Sequence, residues 1–249
     1  MIKFLRKTHT TIYLALVFFF FILFYPFILF FIRNPKRYYN QIVFCRKWFS
    51  VPAAYLSGIR FHIEYEEAID WSKNYVICPN HTSILDITAM TYLCPQPFSF
   101  LGKIELLQNP ITRAFFKSID IAVDRSSRIS AFKAFKQSDT ILKENKSLVI
   151  FPEGKIYDEY PPTLNEFKSG SFRLAVENKV QILPVVIIDA WKTLWDSGSK
   201  FGSRPSVVHI KVLKPIETAN LTEEEVEKLQ DKVFSVMLQQ WKKYNNENF

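Results

Sequence analysis

Acidic side chains are absent from the first quarter of this 249-residue chain: none occurs before Glu64. Glycine is scarce, six in all, and no two have the spacing of a dinucleotide-binding turn or a P-loop. That argues against a nucleotide cradled by a glycine-rich loop. The three cysteines, Cys45, Cys78 and Cys94, are odd in number and too far apart for zinc-ligand pairs, so they read as reduced thiols and no metal site is expected. What the chain has in quantity is apolar material. At 48% hydrophobic and 16% aromatic it can build a sizeable core, which excludes disordered, collagen-like and disulfide-scaffold classes.

The net charge of +8 is unevenly placed. Nine of the 32 basic residues precede Glu64, which leaves 23 basic against 24 acidic side chains beyond it. A nucleic-acid binder carries its basic patch on the folded domain, so no nucleic-acid partner is expected. Basic residues beside aromatic, apolar stretches instead suit an anionic lipid surface. Thr11 to Ile32 reads TIYLALVFFFFILFYPFILFFI without a charge, about 33 Å as a helix and enough to cross a ~30 Å hydrocarbon core. Arg33-Asn34-Pro35-Lys36-Arg37 follows in place of the small residues of a cleavage site, so the run reads as a retained membrane segment. Basic residues flank both ends, including Lys3, Arg6 and Lys7 before it and Arg46 and Lys47 after, and they favour a membrane protein whose C-terminal part faces the cytoplasm. Tyr38 to Ile59 mixes apolar and basic side chains. It reads as an interfacial helix or as the second arm of a hairpin bent at Pro26. The expected organisation is a membrane segment over 1–33, an interfacial amphipathic segment over 34–62 and a catalytic domain over 63–249.

From residue 60 short β-branched or aromatic runs alternate with helical stretches. Expected strands are Arg60–Tyr65, Tyr75–Cys78, Phe98–Gly102, Ile119–Val123, Leu148–Phe151, Ile182–Ile188 and Ser206–Leu213. Expected helices are Ile84–Leu93, Pro110–Lys117, Arg128–Glu144, Ser171–Glu177 and Leu221–Tyr244. This alternation predicts an α/β fold with a central, mostly parallel or mixed sheet flanked by helices. In the last helix Val226, Leu229, Val233, Val236, Met237 and Trp241 share one face, which should pack on the sheet.

Three stretches carry chemistry. Asn80-His81-Thr82-Ser83-Ile84-Leu85-Asp86 follows an expected strand, and Thr82 and Ser83 are placed to cap the helix after it. Five residues on an ideal helix is a rotation of about 140°, so His81 and Asp86 meet only if His81 lies outside the helix and leans over its first turn. A carboxylate on one imidazole nitrogen fixes the tautomer and leaves the other nitrogen free to accept a proton. Phe151-Pro152-Glu153-Gly154 ends an apolar run and allows close backbone approach at Gly154, although a solvated strand exit would look the same. Ile121-Ala122-Val123-Asp124-Arg125 ends in a guanidinium suited to phosphate, or paired with Asp124 on the surface. Lys103 and Lys168 follow other apolar stretches.

Taken together these blocks resemble the glycerolipid acyltransferases, in particular the lysophosphatidic acid acyltransferases. Asn80–Asp86 matches that family's NHxSxxD block, Gly102–Leu106 its lysine-containing block, Ile119–Arg125 the block ending in an arginine, and Phe151–Gly154 its FPEG block. Phe167-Lys168-Ser169-Gly170 and Ile182–Val185 resemble its last stretches. The resemblance implies transfer of a fatty acyl group from acyl-CoA or acyl-carrier protein, as co-substrate rather than cofactor, to the free hydroxyl of a lysolipid acceptor. It implies His81 as general base and Asp86 as its orienting partner. Arg125, Lys103 and Lys168 would hold the acceptor phosphate, and Glu153 and Gly154 would position the glycerol. Attack would be direct, without an acyl-enzyme or a metal. Just after FPEG, where the family often has threonine and arginine, this chain has Lys155 and Ile156; Lys155 neutralises phosphate only as a point charge. A lyso-aminolipid acceptor and a non-catalytic membrane lipid-binding protein are the alternative functions.

Overall fold

The computed structural model describes residues 1–246. Two helices come first, α1 (Ile2–Phe31) and α2 (Tyr39–Leu56). Seven strands follow: β1 (Ile59–Tyr65), β2 (Val76–Pro79), β3 (Phe98–Lys103), β4 (Ile121–Val123), β5 (Ser147–Ile150), β6 (Ile182–Ile187) and β7 (Ser206–Val212). They form one sheet in the order β1-β7-β6-β2-β5-β3-β4. From β6 through β4 all neighbours run parallel, whereas β7 is antiparallel to β6 and β1 parallel to β7. The expected mixed α/β architecture is what the chain adopts, and each expected strand has its counterpart within two residues at either end. The sheet takes in Ile59 to His62, ahead of the 62/63 boundary read from composition.

Successive side chains of the central strands feed two cores on opposite faces. Val76, Cys78, Leu148, Ile150, Ile182 and Val186 face α5 (Arg128–Lys143), α6 (Gly170–Asn178) and α8 (Val226–Asn246). Ile77, Val149, Leu183, Val185 and Ile187 face the other way, toward α3 (Leu85–Leu93) and the N-terminal pair. A short α4 (Pro110–Phe116) joins that side, capped by Asn109, whose side chain accepts from the amides of Ile111 and Thr112. The expected stripe of α8 is buried at Val226, Leu229, Val233, Met237 and Trp241, and a capping box between Thr222 and Glu225 starts that segment. A one-turn α7 (Ala190–Thr193) was not foreseen. All three cysteines are free and buried, and burial pushes the Cys78 and Cys94 thiols up to about 12.

The N-terminal pair departs from the sequence reading in three ways. First, α1 starts at Ile2 and runs straight through Pro26, about 45 Å in all; the chain reverses at 32–38, and α2 packs back along α1 through Phe21, Ile28, Ile42 and Phe49. Second, α1 is tied to the folded domain. His9 Nε2 donates to the Ser57 carbonyl at 2.7 Å, its Nδ1 lies 2.6 Å from Ser203 Oγ, and the Ser203 amide donates to the Arg6 carbonyl at 3.1 Å. At Gly202, φ +71°, a β-carbon would come within 2.6 Å of the Arg6 backbone, so only glycine admits the helix so closely. Third, Arg46 does not face lipid headgroups. It is 4% exposed, forks onto Asp120 at 2.8 and 3.0 Å, donates to the Phe98 carbonyl and lies over the Phe98 and Phe100 rings. With both terminal nitrogens paired, this guanidinium is a bolt between α2 and the sheet.

Candidate active site

The carboxyl ends of β2, β3, β4 and β5 lie side by side, and each delivers a residue singled out by the sequence: His81, Lys103, Arg125 and Glu153. In an open parallel sheet this edge is where ligands bind.

His81 sits in the turn after β2, outside α3, and Asp86 in the first turn of α3. Their side chains meet, Nδ1 to Oδ2, at 2.9 Å. Asp86 is fully buried, and the same Oδ2 also accepts the Thr82 and Ser83 amides at 2.7 and 2.8 Å. The capping role therefore falls to Asp86 more than to Thr82 and Ser83. Ser83 Oγ accepts only the Leu85 amide, and Thr82 Oγ1 is buried without a partner. The reason is chemical: a carboxylate is the stronger acceptor for amides at a helix start. With Nδ1 held as donor to Asp86, Nε2 is the nitrogen left to accept a proton.

Two further groups fix His81. Its ring stacks on Phe151 with centroids 4.0 Å apart and planes at 22°. Its amide donates to Glu153 Oε1 at 2.7 Å. Glu153 is 1% exposed, and its other oxygen accepts the Asn165 amide at 2.9 Å and side chain at 3.2 Å. Burial raises the Glu153 carboxyl to about 7 in spite of these donors, with the Asp86 charge adding to the rise. The structure thus spends this carboxylate on protein groups, gripping the His81 turn. Asn80, fully buried, braces the same turn: its side chain exchanges both hydrogen bonds with the Ile187 backbone, as a strand residue would.

Gly154 has φ +83°, and a β-carbon there would lie 2.7 Å from Arg125 Nη1 and 3.2 Å from Lys168 Cε. Arg125 Nη1 donates to the Gly154 carbonyl, and partial burial lowers the guanidinium's pKa. Arg125, Gly154 and Lys168 therefore converge. Lys103 pairs in register with Val123, two residues before Arg125, which sets its exposed side chain on the adjoining strand end. Lys155 instead turns onto the Tyr157 ring, 4.4 Å from its centroid.

A second His–Asp pair, His209 with Asp189 at 2.7 Å, shows that contact alone does not define a site. It lies on β7, with the imidazole 46% exposed and no cation of the Arg125 kind joined to it by the described contacts. Sequence reasoning missed Asn165, the stacking of Phe151, and the loop around Asp196, whose backbone pairs with Thr82 and Ile84. Phe151 lay inside a block already singled out, whereas Asn165 and Asp196 carried no local signal. Among the described residues, no three His, Cys, Asp or Glu side chains converge as a metal site.

An α/β sheet with a carboxylate-held histidine and basic side chains at its carboxyl edge is an arrangement able to take a proton from a hydroxyl beside an anion. An acyltransferase family model matches residues 60–188, so the chain belongs to the acyltransferase family. Its relatives include an uncharacterised acyltransferase of Schizosaccharomyces pombe, 35% identical over 71% of this chain and 63% of that protein. The 1-acyl-sn-glycerol-3-phosphate acyltransferase of Saccharomyces cerevisiae is 30% identical over 82% of this chain and 66% of its own length, and the mouse alpha form 29% over 75% and 65%. The chain thus spans a little under two thirds of the length of these curated relatives. The crystal structure of the 1-acyl-sn-glycerophosphate acyltransferase of Thermotoga maritima superposes with a TM-score of 0.79 at 21% identity, covering 98% of this chain and 97% of that one, and shares its fold.

Proposed function

We propose that this protein acylates the free hydroxyl of lysophosphatidic acid, giving phosphatidic acid, with acyl-CoA or acyl-carrier protein as donor. The observation that carries the reading is His81, oriented by a buried Asp86 and lying on the same sheet edge as Arg125. His81 Nε2 takes the proton of the acceptor hydroxyl while its oxygen attacks the thioester carbonyl. The new C–O bond forms, the C–S bond breaks, and the thiol leaves with the proton returned by the imidazolium. Asp86 stabilises that imidazolium. Arg125, with Lys168 and Lys103, holds the phosphate, and Gly154 lets it approach. Glu153 acts on the acceptor through the turn that it grips rather than by touching glycerol.

The N-terminal pair supports residence at the membrane on the cytoplasmic face. α1 is the one described helix long and apolar enough to cross a bilayer, and it exposes Phe4, Phe18, Phe19, Ile22, Phe27 and Phe30. Arg6, His9 and Thr10 tie the start of α1 to the Ser57 and Ser203 region, and Tyr39 and Arg46 of α2, which follows its other end, bond to Ser99 and Asp120, so both ends of α1 stay with the domain. The pair then lies as a hairpin in one leaflet, and its basic residues keep to the side that the positive-inside preference assigns to the cytoplasm.

The test is acyl transfer by purified protein in vesicles, offered lysophosphatidic acid beside a lyso-aminolipid with both soluble thioesters. Acylation of lysophosphatidic acid is the expected result. Acylation of the aminolipid alone would keep the reaction and overturn the phosphate site, and no transfer at all would favour a lipid-binding protein.

A further inference from the structure

Among the described residues outside the N-terminal pair, the most exposed large apolar side chains are Ile129 and Phe132, at 71% and 62%. They stand three residues apart near the start of α5 and so adjoin on its surface. Along this stretch of α5 the charges have one sign. Arg128, Lys133 and Lys136 are all exposed, Lys136 Nζ lies 5.8 Å from the Phe132 ring centroid, and no acid occurs between Asp124 and Asp139. A protruding apolar pair rimmed by cations is the composition of a docking surface for an acidic partner.

Its place narrows the partner. α5 is capped by Ser127, two residues beyond Arg125, so Ile129 and Phe132 flank the sheet edge that holds His81 and Arg125. α5 also packs on the opposite face of the sheet from α1 and α2. The membrane-binding surface of the hairpin and the α5 patch therefore face different ways, which favours a soluble occupant over lipid. Acyl-carrier proteins are soluble and acidic, and must bring their thioester to this edge.

We propose that the Ile129–Lys136 face of α5 docks an acidic acyl-carrier protein as acyl donor. The inference rests on the acyltransferase reading above. Apolar contact at Ile129 and Phe132 holds the carrier, and the basic rim steers it, so that the thioester arm reaches past Arg125 to His81.

Binding and turnover are measured on the full chain in detergent with fluorescently labelled acyl-carrier protein, for wild type, Phe132→Ser and the double change Lys133→Glu/Lys136→Glu. All three positions are on the surface, which keeps the fold intact. Wild type should bind the carrier with an affinity that falls as salt rises. Each variant should weaken binding by about tenfold or more, with kcat/KM for the carrier-linked acyl group falling in step and kcat/KM for acyl-CoA unchanged. No carrier binding by wild type, unchanged binding in both variants, or equal loss with both donors would overturn the proposal. Loss of binding to anionic vesicles with carrier binding intact would assign the patch to lipid and overturn it too. Carrier binding without turnover by either donor would defeat the acyltransferase reading and leave the docking surface standing. Turnover of acyl-CoA without carrier binding would do the reverse.

Discussion

Replacing Asp86 by asparagine separates two contributions that usually fall together. In the structure one oxygen, Oδ2, accepts all three hydrogen bonds, from His81 Nδ1, the Thr82 amide and the Ser83 amide, while Oδ1 is buried without a partner. An asparagine can place its carbonyl oxygen where Oδ2 lies and its amide group where Oδ1 lies, so the tautomer of His81 and the turn survive. What is lost is the negative charge that faces the imidazolium in the transition state. A hydrogen bond to an ionised group is roughly twice as strong as a neutral one, so the loss is the difference, about 1–1.5 kcal/mol. At 1.36 kcal/mol per decade that lowers kcat by about tenfold with little change in KM. Asp86→Ala removes the orientation as well and should cost roughly 10³–10⁴ in kcat. The assay is steady-state transfer of a labelled acyl group to lysophosphatidic acid, with circular dichroism confirming the fold. Wild-type kcat for Asp86→Asn would refute the claim that positive charge develops on His81. Equal rates for the asparagine and alanine variants would refute the separation of charge from orientation.

Three other expectations follow from the same geometry. Gly154→Ala places a methyl 2.7 Å from Arg125 Nη1 at φ +83°, so it should cost about 1–2 kcal/mol of stability and raise the KM for lysophosphatidic acid several-fold; unchanged values of both would refute the close approach. Glu153 binds its proton more tightly in the folded state, so its contribution to stability is fully present below pH 4.5 and is lost as pH rises toward 7, a change of roughly 3 kcal/mol. Denaturation midpoints of wild type and Glu153→Gln in the same detergent should therefore diverge across that window, to the disadvantage of wild type at the higher pH; parallel curves would refute the buried charge. A cysteine engineered at the N-terminus should be protected from impermeant reagents added to intact cells, and labelling from outside would show that α1 spans.

The strands were legible because each is a short β-branched or aromatic run between turn residues, and α8 because its apolar positions repeat at helical spacing. Strand order was not, since pairings such as Ile59 with Ser206 join residues far apart in the chain, and nothing local marks β1 and β7 as reversed. The His81–Asp86 contact was legible as a condition, that His81 lie outside the helix, and α3 begins late enough to meet it. Arg46 was misplaced and His9 passed over for a shared reason. Composition assigns a basic or polar residue in an apolar helix to water or headgroups, whereas their partners Asp120 and Ser203 stand 74 and 194 residues away. Glu153 illustrates the limit within a motif. Its position was plain, but only the fold shows its two oxygens taken by His81 and Asn165.

The central claim is that His81 removes the proton from a lysolipid hydroxyl. It is tested most directly by comparing wild type and His81→Ala for acyl transfer to lysophosphatidic acid, with vesicle binding measured on both. The account predicts transfer by wild type, a loss of at least about a thousandfold in the variant, and equal binding. Transfer by His81→Ala at a rate near wild type would contradict it.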